Sequence, residues 1–139
     1  MGKGVTVRFR RQADTVPRVR GLIGHELFRC GAGDDVVDRL VLASAEACNN
    51  AILHSASRSY VVTVDIDTNI CTITVSDEGS GFDVPQPPVM PGPESAGRRG
   101  LALMDALVDQ VNIDSSTSGT TVVLRQRLGS NGRPPALAL

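Results

Sequence analysis

Apolar and polar positions follow one another with changing periods along this chain. Val5, Val7 and Phe9 alternate with polar neighbours, which predicts a strand over residues 5–10 with those three facing inward. The spacing then lengthens. Val19, Leu22, Ile23, Leu27 and Phe28 recur at helical intervals. Thr15 with Pro17 just behind it marks the start of that helix, and Gly31 and Gly33 mark its end. Asp34 or Asp35 is expected to cap a second helix, whose body over residues 40–55 is apolar on most of its circumference. Ser55 to Ser59 breaks it.

Two strands follow. Tyr60, Val62, Val64 and Ile66 share one face of the first, and Asp67-Thr68-Asn69 forms a turn. Cys71, Ile73 and Val75 share the apolar face of the second. Strand side chains alternate strictly, so Asp77 falls on that same inward face. Residues 82–96 contain Pro85, Pro87, Pro88, Pro91 and Pro93, a density no regular element survives, and predict a long lid or binding loop. Gly97-Arg98-Arg99-Gly100 leads into a third helix with Leu103, Met104, Leu107 and Val108 on its buried side. Val111 and Ile113 mark a short strand, and Ser115 to Gly119 a turn. In the last strand, residues 120–128, Thr120, Val122 and Leu124 face one way. The pattern gives one domain over residues 1–128 and a tail, 129–139, expected to be disordered.

Two polar features break the apolar pattern. On the long helix, Glu46, Asn50 and His54 stand four residues apart and so form one line, roughly 5–6 Å between side-chain roots. Acids and amides are costly to bury without partners, which leaves two readings, a solvated helix edge or a ligand face. The second feature is the inward acid with glycines directly behind it, Asp77-Glu78-Gly79-Ser80-Gly81. Asp-Glu-Gly is also ordinary turn chemistry.

Composition narrows the classes. At 139 residues, 41% of them apolar, the chain suits one soluble domain. Aromatics are only 3%, and the net charge is −1, which removes the stacking platforms and basic surface of a nucleic-acid binder. No run is long and apolar enough to span a bilayer, and no signal-peptide stretch is present. Cys30, Cys48 and Cys71 lack metal-ligand spacing and fall in apolar runs, so they read as small hydrophobes in a reducing cytoplasm. Met1-Gly2-Lys3-Gly4-Val5-Thr6 fits the loose myristoylation pattern, but the alternation from Val5 is better read as a strand.

Several of these elements occur together in a definite order. They are Glu46-Ala-Cys-Asn-Asn50-Ala-Ile-Leu-His54, Asp77-Glu-Gly79-Ser-Gly81, Gly100-Leu-Ala-Leu-Met, Val111-Asn-Ile-Asp-Ser-Ser and Gly119-Thr-Thr-Val-Val-Leu. In that order they resemble the ATP-binding fold of gyrase-type topoisomerases, sensor histidine kinases, the ninety-kilodalton heat-shock chaperone and MutL. The chain is most similar to the bacterial anti-sigma factor serine-protein kinases of the RsbW and SpoIIAB type. The resemblance covers nearly the whole chain to about Leu128. It implies a two-layer α/β sandwich, a mixed, mainly antiparallel sheet with three main helices on one face.

The resemblance also implies site residues. Glu46 matches the catalytic carboxylate, which orients or deprotonates the attacking hydroxyl. Asn50 matches the position whose amide oxygen binds Mg²⁺. Asp77 would accept a hydrogen bond from the adenine amine and so select ATP over GTP. Gly79 and Gly81 would let backbone approach the nucleotide. Arg99, Gly100 and Leu101 stand at the helix opening that would face phosphate. Arg98 occupies a place where many members carry glycine. Thr120, inward by parity, could bridge by its hydroxyl to Asp77 or to a water on the base. Asn49 is expected to be a neighbour and His54 a structural residue.

ATP and Mg²⁺ are the implied cofactors. The implied partners are a sigma factor, an anti-anti-sigma protein of STAS type and a second copy of the chain, in the cytoplasm, with no direct nucleic-acid or membrane contact. Two rival functions stay open. One is an ATP-binding regulator without kinase activity, and the other is a detached catalytic module of a histidine kinase.

Overall fold

The computed structural model describes residues 3–55, 57–77, 101–116 and 118–129. The elements are β1 (Lys3–Arg10), a 3-10 turn (Ala13–Thr15), α1 (Val16–Arg29), α2 (Asp34–His54), β2 (Ser59–Asp67) and β3 (Ile70–Asp77). Helix α3 (residues 101–107), β4 (Gln110–Ser116) and β5 (Gly119–Arg127) complete them. The strands form one five-stranded sheet in the order β1-β2-β3-β5-β4, and all four pairings are antiparallel. The helices cover one face, as expected of a two-layer α/β sandwich. The proline-rich residues 82–96, the Gly97 to Gly100 stretch and the tail from residue 130 lie outside the described residues.

Strand alternation places the core. Tyr60, Val62 and Val64 of β2, Cys71, Ile73 and Val75 of β3, and Val122 and Leu124 of β5 are all buried. They meet Val19, Ile23 and Leu27 of α1, Leu40, Ala43 and Ala47 of α2, and Met104 of α3 in one cluster. Each fully buried aliphatic side chain contributes about 1.5–3 kcal/mol relative to exposure. The alanines on α2 are small, so that helix sits close to the sheet. Phe9 stacks on Tyr60 with ring centroids 5.7 Å apart and closes the β1 side.

Thr15, with Pro17 just behind it, stands at the start of α1 as expected, though without a side-chain capping bond. Its backbone is helical (φ −84°, ψ −18°), because the 3-10 turn has already begun the coil. Its hydroxyl donates to the Gln12 carbonyl at 2.7 Å and meets the buried Tyr60 hydroxyl at 2.5 Å. Neither Asp34 nor Asp35 caps α2. Gly33 holds the extended cap position, and the two acids sit in the first turn, where negative charge favours the helix dipole. Phe28, in the last turn of α1 just before Gly31 turns left-handed at φ +83°, is 79% exposed. Cys30 beside it is exposed as well, so only Cys48 and Cys71 behave as core residues. The β4–β5 turn is tighter than expected: β4 runs on to Ser116, and Gly119, at φ +140°, opens β5.

Candidate functional site

One cavity of about 270 Å³ opens between α2 and the sheet. α2 presents Asn50 and His54 to it, with Ala47 and Ala51 as a low apolar wall. β3 presents Val75 and Asp77, and β5 Thr120 and Val122. Ile113 and Ser115 of β4 and Leu101 of α3 complete the described lining. The volume is near the small end of the range for small-molecule sites. Most of the wall is apolar, with a few convergent polar groups.

Asp77 is the acid at its base. The residue is only 9% exposed, at the end of β3 between Tyr60 of β2 and Thr120 of β5. The Thr120 amide donates to its Oδ1 at 3.3 Å. The Thr120 hydroxyl turns away from the acid and pairs with the Ser115 hydroxyl at 2.9 Å. The expected bridge is therefore made by backbone, and Ser115 is a polar group in the wall that the sequence did not single out. Its signal was available: Ser115 sits opposite Thr120 in the β4–β5 register.

The polar line on α2 divides. Asn50 and His54 line the cavity, whereas Glu46 is half-buried and does not. Positions 46 and 50 differ by about 40° around a helix, enough to put the acid at the margin of the face that holds the amide. Asn49 is exposed and away from the cavity. His54, expected to be structural, stands on the cavity wall. Leu101 lines the cavity and is 42% exposed. Gly79, Gly81, Arg99 and Gly100 lie outside the described residues.

Beneath the cavity runs a buried polar chain. Burial pushes the Cys48 thiol up to about 12, partly offset by its hydrogen bond to Tyr60. Burial also pushes the Tyr60 hydroxyl up to about 12, against the lowering effect of Thr15. Both stay protonated at neutral pH and tie α2 and the start of α1 to β2.

These residues suit a nucleotide. A buried carboxylate flanked by small apolar side chains accepts a hydrogen bond from an amino group on a flat ring. Asn50 on the adjoining wall offers an amide oxygen. Among the described residues no group of three or more His, Cys, Asp and Glu could hold a metal by itself. No described helix is long and apolar enough to cross a membrane.

Sheet, helices and acid-based cavity together have the layout of an ATP-binding α/β sandwich. A family model described as a histidine kinase-like ATPase domain matches residues 9–126. The chain belongs to the histidine kinase-like ATPase family, and its curated relatives there are RsbW proteins. It is 30% identical over 130 residues to the serine-protein kinase RsbW of Bacillus subtilis (strain 168), covering 84% of this chain and 81% of that one. It is 28% identical over 137 residues to RsbW of Bacillus velezensis, covering 89% and 85%. Among solved structures, it is similar to a crystal structure of the RsbU and RsbW domains of a Mycobacterium tuberculosis protein. That match has a TM-score of 0.73 at 22% identity and supports the fold. It covers 99% of this chain and 35% of that longer one.

Proposed function

We propose that the chain is an ATP- and Mg²⁺-dependent protein-serine kinase of the anti-sigma type. The observation that carries this reading is the buried Asp77 at the base of the cavity, with Asn50 on the facing helix and Glu46 one turn before it. The curated relatives' own name, serine-protein kinase, points the same way.

Each residue has a distinct task. Asp77 accepts a hydrogen bond from the adenine amine, and the Thr120 amide holds the acid in place. Guanine carries an oxygen at that ring position and would set acceptor against acceptor. Val75, Val122, Ala47 and Ala51 exclude water from the ring. Asn50 would hold Mg²⁺, and Leu101, with Arg99, Gly79, Gly81 and Gly100, would complete the nucleotide site. Bound Mg²⁺-ATP supplies the phosphoryl group and neutralises its charge. Glu46, at the rim, orients the incoming serine hydroxyl and takes its proton. Phosphoryl transfer is catalysed mainly by positioning and charge neutralisation, so a rim carboxylate has enough to do.

In this reading the protein binds a sigma factor and holds it inactive. It phosphorylates a serine on a small anti-anti-sigma protein of STAS type. It works in the cytoplasm as a homodimer. The test is transfer of labelled phosphate from ATP to a candidate anti-anti-sigma partner. Transfer is expected with the wild type and absent with Glu46→Ala.

One observation favours a second reading. Glu46 does not line the cavity, and a protein that binds ATP only to shape its partner surface would need no acid there. Tight ATP binding with no transfer to any cognate partner would select that reading.

A further inference from the structure

Arg11 directly follows β1. Arg10 before it is exposed, whereas Arg11 is half-buried. Its Nε donates to the Ser57 carbonyl at 2.6 Å and its Nη1 to the Ile52 carbonyl at 2.9 Å. Its backbone amide donates to the Arg58 carbonyl, also at 2.9 Å. One residue therefore ties the end of β1 to the last turn of α2 and to the segment behind it.

That turn needs outside partners, because the final four carbonyls of a helix find no amide within it. The Ser55 amide reaches the Ala51 carbonyl at 3.0 Å, and Ser55 itself is extended, at φ −81° and ψ 148°. The Arg11 guanidinium takes the Ile52 carbonyl, and its charge complements the negative end of the helix dipole. Ile52 lies midway between Asn50 and His54, the two polar side chains that α2 presents to the cavity.

We propose that Arg11 is a positioning residue for the Mg²⁺ and phosphate end of the nucleotide site. Arg11 is not among the cavity's lining residues and acts through α2. By holding the peptide at Ile52, it holds the turn that carries Asn50 and His54. The adenine end is built differently. Asp77 and Thr120 stand opposite each other on β3 and β5, so the sheet fixes them without that turn. Loss of the Arg11 bonds therefore loosens one end of the site and spares the other. Residue type matters here. A guanidinium is a rigid planar fork, so Nε and Nη1 serve two carbonyls at once. A lysine keeps the charge but not the fork. Arg11 has this role only if the cavity binds Mg²⁺-ATP as proposed above.

Calorimetry on the full chain tests it, with adenosine alone and with ATP at increasing Mg²⁺. Arg11→Met keeps an apolar stem and removes the donors. A misplacement of about 1 Å in a site costs up to about 10²-fold, so a loosened turn should cost about tenfold in affinity for Mg²⁺-ATP. Half-saturation should also need several-fold more Mg²⁺, while adenosine affinity stays within about twofold of the wild type. Arg11→Lys should recover part of the loss and remain about threefold weaker than the wild type. A bond that merely stabilises the fold would move both ligands together. Unchanged Mg²⁺-ATP affinity in Arg11→Met overturns the proposal, and so does an equal loss for adenosine. Should Arg11→Met fail to fold, the folded Arg11→Lys decides: Mg²⁺-ATP affinity equal to the wild type's overturns the proposal. A wild type that binds neither ligand overturns the nucleotide reading itself, and the role of Arg11 with it.

Discussion

Asp77 and Thr120 face each other across the β3–β5 pair, and the Thr120 amide donates to the Asp77 carboxylate at 3.3 Å. A backbone donor holds the acid, so its orientation does not depend on the Thr120 hydroxyl, which is engaged with Ser115. The pocket thus has a fixed acceptor at its base and a separate hydroxyl pair in its wall. Thr120→Val should for this reason lower ATP affinity by less than tenfold, while keeping the fold. A loss as large as that of an Asp77 variant, measured by calorimetry, would mean that the hydroxyl does the holding.

Glu46 is half-buried and does not line the cavity. Glu46→Gln should therefore leave ATP affinity within about twofold and lower phosphate transfer by about 10²–10⁴-fold, the range for losing a general base. Single-turnover transfer with separately measured nucleotide binding checks both. A large loss of ATP affinity would place the carboxylate in the nucleotide site instead.

Period explains why much of this was legible. Strict alternation puts Val75, Asp77, Thr120 and Val122 on the inward face, and all four line the cavity. The i, i+4 line on α2 placed Asn50 and His54 together. It could not separate Glu46 from them, because 40° of helix rotation decides whether a side chain meets the cavity or its rim. Asp34 carries good capping chemistry, yet Gly33 took that position, and Thr15 at the start of α1 spends its hydroxyl on Gln12 and Tyr60. Contacts such as Thr15 with Tyr60, 45 residues apart, leave no local trace.

Arg39 makes another contact of that kind. Its guanidinium pairs with Asp35 at 3.0 Å and donates to the Leu107 carbonyl at the end of α3 at 2.8 Å. Gln126 accepts from the Asp109 amide next to it, at 2.9 Å. α3 carries Leu101 into the cavity, so this clamp steadies one wall from a distance. Arg39→Met should cost about 1–2 kcal/mol in urea unfolding and speed amide exchange over residues 101–107. Unchanged exchange there would show that α3 is held by packing alone.

Alkaline pH should destabilise the fold. Burial pushes the Cys48 and Cys71 thiols up from 9.0 to about 12. In the unfolded chain they ionise first, so the stabilisation is whole below pH 9 and is lost as pH rises from there through 12. The slope should approach about 1.4 kcal/mol per pH unit for each thiol. Urea midpoints under reducing conditions should be flat from pH 7 to 8 and fall by pH 10 to 11. Cys71→Ala should start lower but fall less steeply. A midpoint independent of pH to 11 would contradict the burial of these thiols.

The central claim is that Asp77 reads adenine at the base of this cavity. Titration calorimetry with Mg²⁺ present tests it most directly, comparing ATP and GTP on the wild type and on Asp77→Asn. The account predicts heat for ATP on the wild type, little for GTP, and at least about a 30-fold loss of ATP affinity in the variant, the cost of a mispaired buried acceptor. Equal binding of ATP and GTP, or unchanged ATP binding by folded Asp77→Asn, would contradict it.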